Sequence, residues 1–251
     1  MMSPRRHLPL DRKNIDLYTF LAMKNQNITN KLLFVALFSV LGFILSQISF
    51  TKLVGSSLSF NLFDFFAPTA GAFLGGPVGI VSVLIVNLVN FAIKGVSFQP
   101  AVLVRLVTNL FAVWYFSLSA DKKTNKAILV VPVIAMLLFW ANPVGRQVWY
   151  FALFWLIPIA AFFKRDVLFI KSLGATFMAH AVGGAAWIWA LNLPAVAWKG
   201  LIPVVIFERL SFALGITASY VILTYVFKYL ESKKLIPSGL QLKTPTKHIF
   251  S

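Results

Sequence analysis

The chain contains no cysteine, which removes disulfides, thiolate metal sites and thiol nucleophiles together. Acidic residues are scarce, seven against twenty-three lysines and arginines, and the histidines number three: His7, His180 and His248. Only His180 lies in a long apolar stretch, so paired imidazoles for haem, or a His-x-x-Glu-His style of metal site, cannot be assembled within one chain. A G-x-x-x-x-G-K-[ST] loop is missing as well, and any ATP-driven activity needs another subunit. Gly55-Ser56-Ser57 lacks the flanks of a nucleophile elbow and has no evident base. No catalytic set, metal site or cofactor is therefore assigned. No soluble domain, low-complexity linker or convincing repeat is found.

What is present is apolar. Hydrophobic residues make up 59% of the chain, charged residues 12%, and the mean hydropathy is +0.83, which excludes a soluble or a disordered domain. The apolar stretches are continuous, so they read as helices and not as alternating strands of a barrel. From Phe65 to Ile93 the chain runs 29 residues without a charge, with FLGGPVG at its middle. A hydrocarbon core of about 30 Å needs roughly 20 helical residues, so the Gly75-Gly76-Pro77 break predicts two helices, the first short, joined by a buried tight turn. Taken with the other uncharged runs, this gives eight membrane elements, at 32–51, 62–74, 77–94, 100–119, 127–141, 146–163, 168–191 and 200–228, with 127–141 short enough to be re-entrant. Pro100 opens one element, and Asn142-Pro143 separates two. The expected fold is all-α, a polytopic transmembrane bundle of six to eight helices. Residues 1–30 form a basic N-terminal segment, 31–228 the transmembrane domain and 229–251 a basic tail.

Cytoplasmic loops collect lysine and arginine. With the N-terminus inside, seventeen of the basic residues fall in inside segments, among them Lys31, Lys122, Lys164, Lys171 and Lys228. The outside loops hold only Lys52, Lys94, Arg146 and Lys199, and Arg105 and Arg209 lie within spans. Both termini are thus expected in the cytoplasm. The formal charge of +16 sits in short loops and tails, as orientation signals would, so nucleic acid is not an expected partner. The N-terminal segment is too polar for a cleavable signal, Asp16 to Met23 reads as a short surface helix, and the Asn27-Ile28-Thr29 sequon faces the cytoplasm and reads as chance.

Polar groups inside spans are costly and mark function or packing. Asp64 starts the second element; Asn87 and Asn90 lie near the outer end of the third. Arg105 and Asn109 are in the outer part of the fourth, His180 near the middle of the seventh, and Glu208 and Arg209 in the outer half of the eighth. Asn87, Asn90 and Lys94 share one helical face, Arg105 and Asn109 another, and His180 aligns with Trp187. Glu208 and Arg209, about 100° apart around the helix, should seek different partners and not each other; Asp64 with an arginine and His180 with Glu208 are the expected pairs. The amides serve equally as interhelical glue, His180 as a satisfied core residue, and Arg105, Glu208 and Arg209 as an ion-pair network. Trp187, Trp189 and Trp198 read as belt anchors before a stacking platform. The convergence of these groups toward the outside favours a solute pocket formed by Asp64, Asn87, Asn90, Arg105, Asn109, His180, Trp187, Glu208 and Arg209. Ala175, Ala179 and Gly183, like Gly42 and Ser46, recur at four-residue spacing and serve packing within the chain or docking of a partner.

The basic lead into Leu32 to Ile48, followed by a loop and by FNLFDFFAPTAGAFLGGPVGIVSVLIVNLVNFAIKG from Phe60 to Gly95, resembles the substrate-binding S components of energy-coupling factor transporters, whose second and third helices flank a GP-containing turn. The stretch holding Pro203, Glu208 and Gly215 looks like the last helix of that family. The resemblance covers about half the chain. It implies a small membrane subunit that binds a vitamin or other micronutrient from outside and pairs with a transmembrane coupling subunit and two ATPases. The family has six helices where eight elements are read here, the surplus lying around 127–163, and its Ala-x-x-x-Ala docking motif stands here as Ala36 and Val40. Two other readings remain open: a membrane enzyme acting on a lipid or polyprenyl group through Glu208, His180 and Arg105, and a noncatalytic assembly protein.

Overall fold

The structure is a computed structural model that describes residues 32–55, 58–95, 100–118 and 126–233. The basic N-terminal segment with its surface helix and sequon, the 119–125 loop and most of the basic tail lie outside the described residues. The protein is mostly helical. Helix α1 spans Leu32–Ser46, a two-stranded antiparallel hairpin follows with β1 at Ser49–Lys52 and β2 at Ser59–Asn61, then α2 (Phe63–Phe66), α3 (Thr69–Leu74), α4 (Gly76–Lys94) and α5 (Pro100–Phe116). A short 3-10 turn at Lys126–Leu129 leads into α6 (Val130–Ala141); α7 (Pro143–Gln147), a 3-10 segment at Trp149–Trp155 and α8 (Leu156–Phe162) precede the two long helices α9 (Leu168–Ala190) and α10 (Ala195–Ser232).

The glycine–proline break reads as expected in one respect and differs in another. Gly75 adopts φ 82°, ψ 167°, a positive-φ conformation essentially restricted to glycine that ends α3, and Pro77 stands in the first turn of α4, where its missing N–H costs nothing. The turn is half-buried at Gly75 and Gly76 and exposed at Pro77, so it is not the buried turn that the uncharged run predicts. Close approach makes the hairpin possible. A Cβ on Gly79 would lie 2.8 Å from the Ala70 carbonyl carbon, and one on Gly71 would lie within 3.1 Å of the Val113 carbonyl of α5 and of the backbone nitrogen of Ser117 just beyond it.

Several predicted elements change shape. Residues 49–51, assigned to the first helix, form β1; 62–74 splits at Ala67-Pro68 into α2 and α3; and 146–163 is interrupted by a 3-10 stretch. The last helix begins at Ala195, not 200, and continues past 228 to Ser232, running through Pro203. Lys171, counted with the inside loops, is buried within α9, its Nζ 4.8 Å from the centre of the Phe116 ring.

Helix α9 is the central element and packs on α5, α6, α8 and α10. Its small-residue stripe faces inward: Ala175 is fully buried and Gly183 meets Thr108 of α5. Two aromatic cores result. One gathers Phe34, Phe66, Tyr115 and Phe116, and the other Phe139, Phe151, Trp155 and Trp198. The outward faces are also apolar, with Leu33, Leu37 and Ile44 of α1, Val81, Ile85 and Leu88 of α4, and Ile134, Leu137 and Leu138 of α6 all exposed. Among the described residues, two helices are both long and apolar enough to cross a membrane, α4 and α10.

Candidate functional site

The site is assembled by the hairpin. In its ladder Thr51 pairs with Phe60, which puts both side chains on one face of the ribbon. The ladder is irregular between Ser49 and Thr51, and Phe50, the residue between them, packs edge-on against Phe65 at 4.8 Å and Phe212 at 5.7 Å. The ribbon is thereby fixed to α2 and α10. Its site-facing pair then reaches two buried charge clusters.

The first cluster centres on Asp64 in α2. Its Oδ2 accepts from Arg105 Nη2 at 2.5 Å and from the Asn61 backbone N–H at 2.7 Å, and its Oδ1 accepts from Asn109 Nδ2 at 2.6 Å. Arg105 also donates to the Ser59 carbonyl at 3.2 Å. The side chains of Arg105 and Asp64 are 10% and 4% exposed. At that depth the attraction offsets desolvation only because further hydrogen bonds satisfy the remaining oxygens. The second cluster sits on α10. Arg209 donates to Glu208 Oε2 through Nη2 and to Thr176 Oγ1 through Nη1, each at 3.3 Å, while Glu208 Oε1 accepts from the Thr51 hydroxyl at 2.7 Å. Phe60 joins the two clusters, with the Arg105 guanidinium 4.6 Å and the Arg209 guanidinium 5.1 Å from its ring centre, and Phe212 lies 4.4 Å from Arg209. Cation–π contacts gain strength when desolvated, as these are. Two guanidinium nitrogens, Arg105 Nη1 and Arg209 Nε, are buried and have no hydrogen-bond partner among the described residues, and the same holds for Trp198 Nε1.

Beside the charge clusters lies an aromatic wall. His180 is ringed by Phe151, Phe154, Phe177 and Trp155, and its Nδ1 accepts from Trp155 Nε1 at 3.1 Å. Together these surfaces enclose a cavity of about 110 Å³, with Lys52 and Leu53 of the hairpin and Leu193 of the α9–α10 connection on its lining. Its position is the end of the molecule that carries the hairpin and this connection.

Seven of the nine residues proposed from sequence line this cavity: Asp64, Arg105, Asn109, His180, Trp187, Glu208 and Arg209. Asn87 and Asn90 do not. Asn90 Oδ1 accepts from Nε2 of Gln47, just past the end of α1, at 3.1 Å and so ties α4 to the end of α1; the Asn87 Nδ2 is buried without a hydrogen-bond partner among the described residues. Asp64 takes an arginine as expected. Glu208 and Arg209, expected to seek separate partners, bond to each other as well as to Thr51 and Thr176, because long side chains close the 100° gap between neighbouring helical positions. His180 pairs with Trp155 and not with Glu208. Trp187 and Trp198, read first as belt anchors, are buried on the cavity, while Trp189 is 55% exposed.

Sequence reasoning missed Phe60, Thr51, Thr176 and the cavity role of Trp198. Thr51 and Phe60 carry no intramembrane charge to mark them, and only the hairpin register unites them. Of the chain's seven acids, Asp64 and Glu208 are the two buried here. Among the described residues no group of three or more His, Asp or Glu side chains is arranged to hold a metal ion.

The chain is 28% identical over 199 residues to an uncharacterized protein of Methanocaldococcus jannaschii, a match that covers 72% of this chain and 66% of that protein. The chain thus spans just under two thirds of that relative's length. No protein-family model matches the chain, and no solved structure matches it.

Proposed function

We propose that the chain is a multi-pass membrane protein that binds a small solute in this cavity, as the substrate-binding subunit of an uptake system energised by separate ATPase subunits. The observation that carries the reading is the convergence of two buried charge clusters and an aromatic wall on one cavity, inside a bundle whose outward faces are apolar.

The bilayer supports that arrangement physically. Side chains such as Val81, Ile85 and Leu88 on α4 lie outward while Ser82 and Asn90 lie inward, the reverse of what water around a helix selects and what lipid permits. Helix α10, at 38 residues, is about 57 Å long by the 1.5 Å rise per residue, more than a hydrocarbon core of about 30 Å requires. The basic residues put the hairpin and the α9–α10 connection on the outer side, where a solute arrives. A vitamin or another micronutrient is the solute class that the resemblance implies, and the mixed charged and aromatic lining of the cavity suits a polar ring-bearing solute. The partners are a transmembrane coupling subunit and ATPases, as the resemblance to energy-coupling factor S components implies; without a nucleotide loop in the sequence, ATP-driven uptake draws on a separate subunit.

Binding fits the site better than catalysis does. Each carboxylate is tied to an arginine and to a second donor, which leaves neither as a free general base. The test is purification of the full chain in mild detergent followed by identification of copurified subunits, with uptake measured in cells lacking them. Recovery of ATPase subunits and loss of uptake on their deletion are expected. Concentrative uptake by the isolated chain in ATP-free vesicles would contradict the coupling to ATPases.

A further inference from the structure

The hydrogen-bonding groups around the cavity are unequal in kind. Every carboxylate oxygen already has a donor: Asp64 Oδ1 has Asn109, Asp64 Oδ2 has Arg105, Glu208 Oε1 has Thr51 and Glu208 Oε2 has Arg209. The unsatisfied groups on the lining are donors. Arg105 Nη1, Arg209 Nε and Trp198 Nε1 are buried and have no hydrogen-bond partner among the described residues. His180 adds a fourth donor, because its Nδ1 accepts from Trp155 and the neutral ring then carries its proton on Nε2.

This asymmetry selects a ligand. A buried donor without an acceptor is costly, and most so when it belongs to a charged group, so a molecule that brings anionic oxygens relieves that cost. A molecule that brings ammonium or amide hydrogens has to displace a donor already in place. Charge agrees with this. The two arginines and two carboxylates cancel, and Lys52 on the lining leaves an excess of positive charge. Shape agrees too, since Phe60, Trp187, Trp198 and His180 offer ring surfaces on which a flat ligand stacks.

Resting on the solute-binding role proposed above, we infer that the ligand is a small, flat ring compound bearing a carboxylate, whose oxygens accept from Arg105, Arg209 and Trp198, and that amines and organic cations are excluded.

The experiment is isothermal titration calorimetry on the full chain in detergent with three probes that share one ring: benzoate, benzamide and benzylamine. Benzoate is expected to bind roughly tenfold or more tightly than benzylamine, with benzamide between them. Arg209→Lys keeps a cation for Glu208 but removes Nε, and is expected to weaken benzoate roughly tenfold. Should that variant fail to fold, Trp198→Phe keeps an aromatic ring while removing the indole N–H with part of the bicycle, and is expected to weaken benzoate severalfold. Benzylamine binding as tightly as benzoate, or a folded variant binding benzoate unchanged, overturns the inference while leaving solute binding intact. If none of the probes binds at millimolar concentration, the inference of a flat ring carboxylate fails, while the solute-binding reading stands or falls on what the purified chain carries.

Discussion

The Arg105 guanidinium meets the Asp64 carboxylate, 41 residues earlier in the chain, at 2.5 Å and with both side chains buried. This pair joins α5 to the short α2 and, through the Ser59 carbonyl, to the hairpin. Removing one member leaves a buried, uncompensated charge, which costs about 3–5 kcal/mol. Asp64→Asn and Arg105→Gln should each lower the thermal unfolding midpoint of the detergent-solubilised chain, and the double variant should recover part of the loss. Single variants as stable as the parent protein would make the pair energetically idle.

Helix approach gives a second prediction. A methyl group on Gly71 would fall within 3.1 Å of the Val113 carbonyl and the Ser117 nitrogen, all rigid backbone of α5 and its end, whereas one on Gly75 meets nothing within 4 Å and suffers only from φ 82°. Gly71→Ala should therefore sharply reduce the yield of monodisperse protein, while Gly75→Ala should cost about 1–3 kcal/mol from a positive-φ, extended-ψ backbone that is essentially restricted to glycine. Gly200→Ala, which meets nothing and has no unusual φ, lies inside α10 and should hold or raise stability by up to about 1 kcal/mol, so it serves as the uncrowded control in the same unfolding assay. Equal losses for Gly71→Ala and Gly200→Ala would mean that α3 and α5 are not in such close contact.

Charge and spacing made much of the site legible in the sequence. A buried charge is rare enough that Asp64, Arg105, Glu208 and Arg209 stand out one by one, and helical spacing ties Arg105 to Asn109 and His180 to Trp187. Periodicity puts Asn87 and Asn90 of α4 on one face without saying which element packs there, and Gln47, just past the end of α1, is the neighbour that Asn90 meets. The hairpin is hidden because β1 sits at the end of the uncharged run read as one helix over 32–51, and four strand residues are too few to establish a period-2 pattern. Reading α10 from 200 leaves Lys199 in an outside loop; the helix instead begins at Ala195, runs through Pro203 and brings Trp198 to the cavity.

Topology is testable without removing any native thiol, because the chain has no cysteine. Single cysteines at Ser56, Ser97 and Ala195 should react with an impermeant maleimide on intact cells, and those at Thr124 and Ser238 only after the membrane is opened. The opposite pattern would turn the cavity toward the cytoplasm and remove the uptake direction.

The most direct measurement is mass spectrometry of what the purified full chain carries, compared between the parent protein and Ala179→Leu, which adds bulk to the cavity lining. The account predicts a small molecule in near-stoichiometric amount with the parent chain and its loss from a variant that still elutes as a monodisperse, helical species. A parent chain carrying only lipid and detergent, or a folded variant retaining the same molecule in the same amount, would contradict it.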